Sequence, residues 1–211
     1  MIKALLLIFD PIATWEGISR ARRSLVSILV GFLLPLLLLP TVAEGYGLVN
    51  WGKWQVEPYR LKKFPAGEAV VVEAAQFLLS LLVVFVGAKM IKSVGETFHG
   101  RHTYAQAFAT VTYSLSPLFL LHLFDALSGF SGVYLWISWS IGMILSIAVL
   151  YHGMPRMMEP DPSHAFGLYL MGAILLVLVA GLVRFVTAAY LQGRFPKLQA
   201  VVSDIAGRLP F

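Results

Sequence analysis

The chain has 211 residues, 58% of them hydrophobic and 13% charged, with a mean hydropathy of +0.79. A soluble domain is nearer about 25% charged, and one of this size could not hide so much apolar surface from water. That excludes a water-soluble globular enzyme, a disordered tail and a coiled coil, and leaves an all-α polytopic membrane protein. The net charge of +5, from 16 Lys and Arg against 11 Asp and Glu, is scattered near the ends of apolar runs. Such charges anchor to anionic headgroups; no basic soluble module is present to bind nucleic acid. With no cysteine, disulfide frameworks, thiolate metal sites and thiol nucleophiles are excluded.

Residues 1–23 read as an interfacial amphipathic segment. The first nine are too short to cross a bilayer, and no small-residue cleavage site follows them. Asp10 and Pro11 have the chemistry of an N-cap and a first helical residue. Ile12, Trp15 and Ile18 then recur at three-residue steps, ahead of Arg20, Arg22 and Arg23. This pattern predicts a short helix lying on the bilayer, with Trp15 and the three arginines at headgroup level.

Five apolar runs follow, at 24–43, 69–90, 106–127, 133–151 and 165–190. Each is long enough for a transmembrane helix, which needs about 20 residues. Together they predict a five-helix membrane domain over 24–190 and a mixed tail over 191–211. Pro35 and Pro40 lie where the first run could kink. The connection 44–68 is the longest. Its Trp51, Trp54 and Tyr59, interleaved with Lys53, Arg60, Lys62 and Lys63, read as an aromatic belt with lipid-facing positives. His99 and His102 have zinc-compatible spacing but no third ligand nearby, so they read as a solvated loop, with no metal and no cofactor. Ser114, Ser116 and Pro117 interrupt the third run and read as a packed proline kink. The turn 128–132 is short enough to make the third and fourth spans antiparallel neighbours. Gly142 and Ser146 are a small-x-x-x-small pair, the signature of close helix packing. No internal repeat is visible.

Lys and Arg near the span ends divide eight to seven between the two sides. Arg20, Arg22 and Arg23 abut the first span, which decides for a cytoplasmic N-terminus. That orientation puts Glu73, Gln76, His122, Asp125 and Arg184 in the outer leaflet. Intramembrane charges turn inward and pair, and His122 and Asp125 share one helix face. The five read either as a small functional cluster or as static structural pairs near the interface. The salt-bridge expectation is Arg184 with Glu73 or Asp125. No nucleophile elbow, zinc-protease helix, phosphate loop or dinucleotide fingerprint is present, so the chain reads as non-enzymatic.

Three stretches resemble the Yip-domain family, five-span membrane proteins whose eukaryotic members are known as Ypt/Rab-interacting proteins. They are Phe9-Asp10-Pro11 with Trp15, the run TYAQAFATVTYSLSPLF from Thr103 to Phe119, and Tyr151-His152-Gly153-Met154 before Ala165. The resemblance covers roughly residues 7–187. It implies a five-helix membrane domain with a cytosolic N-terminus and offers no catalytic residues to carry over. Eukaryotic relatives meet small GTPases chiefly through longer cytosolic N-terminal regions. The short segment here argues against that partner and for a prokaryotic-type member in the cell membrane. The expected role is a scaffold or accessory subunit binding membrane lipids, other membrane proteins or a second copy. The rival role is a small-solute or ion transporter using the polar cluster.

Overall fold

The computed structural model describes residues 2–56, 59–98, 102–127 and 132–208, with backbone alone for 132–135. Helix dominates, as it must in an apolar chain that has to satisfy its own backbone in lipid. Five helices are long and apolar enough to cross a membrane: Leu25–Asn50, Ala66–Thr97, Tyr104–Leu127, Trp136–Met158 and Ala165–Leu191. We call them spans one to five. All extend beyond or nearly match the apolar runs that mark them. Span two, at 32 residues, is about 48 Å long at the helical rise and projects past any hydrocarbon layer.

Span three is the axis of the bundle. Its apolar window is 72% buried, against 28–39% for the other four, so the others surround it and face outward with Val30, Leu78, Leu82, Ile144, Leu178 and Leu182. The axis is not one continuous helix. It runs as Tyr104–Ser114, breaks at Leu115, restarts at Ser116–Leu121 with Pro117 near the new N-terminus, and tightens into a 3₁₀ turn, His122–Leu127. Pro117 has no N–H to give the preceding turn; Ser116 Oγ donates to the Tyr113 carbonyl at 2.7 Å, relieving part of that break. Span one absorbs Pro35 differently, through a π turn at Leu29–Leu33 just before it.

Span four packs on span three through its small residues. A Cβ on Gly142 would lie 2.9 Å from the Leu118 Cα, and Ser146 Oγ accepts from the Leu118 amide at 3.3 Å. The Gly142–Ser146 face is therefore occupied within the chain. Residues 128–131 of the expected short turn lie outside the described residues, as does His99.

The N-terminal segment is two helices, Ile2–Phe9 and Pro11–Ala21. Asp10 Oδ1 accepts from the Ala13 amide at 3.3 Å and caps the second. Here one expectation is corrected: Trp15 does not sit at the lipid interface. It is 0% exposed, part of the main core with Ile18. Its indole donates to the Val149 carbonyl at 3.0 Å, and its ring meets Tyr113 edge-on at 6.0 Å. Trp15 and Ile18 mark the face of this segment that packs on the bundle, whereas Ile12, the first of the three-residue steps, is exposed.

Residues 196–207 of the tail form a further helix, Pro196–Gly207, whose Ala206 carbonyl approaches Gly67 of span two.

Candidate functional site

Charged side chains gather where the end of span three meets span one and the connection after it. The approach depends on Gly47: a Cβ there would lie 2.4 Å from the Ala126 carbonyl oxygen. Span one does not end at residue 43 but continues to Asn50, so Glu44 is a helical residue, 1% exposed. Beyond it Gly52, at φ +78°, turns the chain into a hairpin in which Lys53–Gln55 pairs antiparallel with Arg60–Lys62. Trp54 stacks on Tyr59 with centroids 4.9 Å apart. The Gln55 side-chain amide donates to the Leu191 carbonyl at 2.7 Å, and the Val56 amide to the Gln192 carbonyl at 3.0 Å. These bonds pin the hairpin to the end of span five.

The pinned hairpin turns Lys53 inward, which corrects its placement among lipid-facing positives. Lys53 is 2% exposed; its Nζ donates to Glu44 Oε1 at 2.8 Å and to the Asp125 carbonyl at 3.4 Å. Lys62 also has a partner, Glu68 Oε1 at 2.9 Å, and lies over the Phe64 ring. Trp51 is partly exposed and meets Tyr46 edge-on.

Arg184 reaches Asp125 from span five in a fork, Nη1 to Oδ2 at 2.7 Å and Nη2 to Oδ1 at 3.0 Å. Ser138 of span four adds a third donor to Asp125 Oδ1 at 3.2 Å. Gln76 of span two donates through Nε2 to Glu44 Oε2 at 2.5 Å. Each span and the hairpin thus contributes a side chain, and two carboxylates, Glu44 and Asp125, face two cations, Lys53 and Arg184. Burial favours such pairing because an isolated charge in a low-dielectric interior costs several kcal/mol.

Two residues of the expected cluster stand apart from those pairs. Glu73 is buried on span two, yet neither carboxyl oxygen has a hydrogen-bond partner. It lines an apolar groove between spans one and two with Leu38, Val42, Ala69 and Phe77. His122 Nε2 is likewise buried without a partner. The ring borders a cavity of about 30 Å³ shared with Gln76 and Arg184, room for about one water. His102 is buried rather than solvated: its ring fills the space over Gly95, and Nε2 lies 3.3 Å from the Lys92 carbonyl. Among the described residues no group of three His, Asp or Glu side chains is placed to hold a metal ion.

Sequence reasoning missed Glu44 and Lys53 because each was assigned to a connection. The available signal was the pairing of opposite charges nine residues apart across Gly45, Gly47 and Gly52.

Five apolar spans around a buried, charge-balanced cluster define an integral, multi-pass membrane protein. The chain belongs to the Yip1 domain family, whose model matches residues 5–198. Neither a curated protein nor a solved structure matches it.

Proposed function

We propose that this Yip1 domain protein is a non-enzymatic scaffold or accessory subunit of the membrane. Its partners on this reading are lipids, other membrane proteins or a second copy. The observation that supports it is the closure of the polar cluster: its cations are satisfied by its own carboxylates, and the cavity beside them holds about 30 Å³. A solute path needs far more room, since ligand pockets run to about 300–1,000 Å³. The N-terminus is cytoplasmic on this reading, the site is the cell membrane, and no small GTPase or cofactor takes part.

The test is purification from native membranes in mild detergent after in-membrane cross-linking, with identification of the adducts. A defined membrane-protein or self adduct supports the scaffold. A chain that carries no adduct, yet moves ions or small solutes in proteoliposomes, overturns it. The transporter reading draws on two observations, the break of span three at Leu115 and the unpartnered Glu73.

A further inference from the structure

At the end of the bundle away from the polar cluster, the N-terminal helix pair leans over the starts of spans one and three and the end of span four. Between them lies a cavity of about 580 Å³. Among the described residues its wall carries five cationic side chains, Lys3, Arg20, Arg22, Arg23 and Arg156, and one carboxylate, Glu159. Arg20 is paired with Glu16 at 3.0 Å, and Arg156 gives one N–H to the His152 carbonyl at 2.8 Å. Lys3, Arg22 and Arg23 have no ion-pair or hydrogen-bond partner among the described residues.

From these observations we propose that the cavity is a binding site for a phosphate-bearing anion at headgroup depth. Like charges converging on one hollow repel each other, and an anion between them removes that repulsion. Guanidinium forks suit phosphate oxygens, and arginine is the residue that reads them in pairs. The helix starting at Tyr104, capped by Thr103 and Gln106 on the cavity wall, adds the positive end of its dipole. The volume exceeds a bare phosphate and falls in the range of small-ligand pockets, about 300–1,000 Å³. A phosphorylated headgroup with its glycerol therefore fits, the apolar part meeting Ile18, Ile28 and Met157.

Burial, and after it the neighbouring Arg23, push the Lys3 ammonium below its ordinary pKa. Arg22 and Glu159, at φ +38° and +42°, are the non-glycine residues with positive φ among those described, and both line this cavity. Arg22 is the left-handed C-cap of its helix and Glu159 follows the last residue of span four, so both turn the chain at helix ends that rim the cavity. The site stands whether the protein is a scaffold or a transporter.

The ligand chemistry has two sources, an anionic phospholipid or a soluble phosphate ester, and one experiment separates them. The full chain in nanodiscs of pure phosphatidylcholine is followed by thermal unfolding. Phosphatidylglycerol is added in one arm, glycerol 3-phosphate in another and inorganic phosphate in a third. A rise in Tm with the lipid alone assigns a headgroup; a rise with the soluble anions as well assigns a soluble phosphate ester. Arg23→Gln and Arg156→Gln should each weaken the effect about tenfold, the loss of one charge-assisted contact. Arg194→Gln with Lys197→Gln, exposed at the opposite end, should leave it unchanged. If Arg23→Gln does not fold, Lys3→Gln reports on the same wall and Arg23→Lys on charge without the fork. No rise in any arm overturns the site, and so does equal loss in the variants at both ends, which would mark diffuse surface charge.

Discussion

The indole of Trp15 fills the space over Gly153, so close that a Cβ there would sit 2.3 Å from the ring. Two stretches that carry the family resemblance, the one following Phe9-Asp10-Pro11 and the one at Tyr151-His152-Gly153, therefore meet in space. Glycine is required at 153 for room, since its backbone is ordinary helix within span four. Gly153→Ala is expected to cost about 1–3 kcal/mol by overpacking. It should also free the N-terminal helices to protease while leaving the five spans in place. Thermal unfolding in detergent and limited proteolysis check both parts; unchanged protection would mean that Trp15 finds another seat.

Removing the Arg184 fork leaves Asp125 buried with its charge unmatched by a guanidinium. Arg184→Leu should destabilise the fold by about 3–5 kcal/mol. Arg184→Leu with Asp125→Asn should recover part of that loss, and the double-mutant cycle should give a coupling well above the error of additive sites. Additive losses would show that the two side chains contribute separately.

Glu44 and Glu73 are both buried carboxyls, but only Glu44 has partners. Glu44→Gln should cost about 3–5 kcal/mol by leaving the Lys53 ammonium buried without its carboxylate. Glu73→Gln should change stability by less than about 1 kcal/mol, or raise it, because no partner is lost. Chemical unfolding of the two variants side by side distinguishes them. A larger loss at Glu73 would reveal an interaction that forms in the membrane.

Because the chain has no cysteine, orientation is open to direct test. Tyr59 in the hairpin and Thr103 before span three are both exposed and lie at opposite ends of the bundle. Tyr59→Cys should label with an impermeant reagent from outside, and Thr103→Cys only after permeabilisation. The reverse pattern would place the N-terminus outside and defeat the argument from Arg20, Arg22 and Arg23.

Five spans and the all-α class were readable from residue order alone, since an apolar run of that length satisfies its backbone in lipid only as helix. The Asp10 cap and the need of Asp125 and Arg184 for partners were readable for the same reason: each is a local cost that the chain must offset. What only the tertiary structure decided was direction. Trp15 at a three-residue step is equally apolar toward lipid and toward protein, and Gly153, 138 positions later, selects the inward choice. Glu44 ends a hydropathic run but not a helix, because Lys53 returns through the hairpin to neutralise it and the hairpin is held by span five. Which carboxylate Arg184 takes, Asp125, and which is left without a partner on span two, Glu73, follows from how the five spans pack. A charge announces in sequence that it needs a partner; only packing of distant helices chooses the partner, because in a bundle every span brings its own candidates to the same depth.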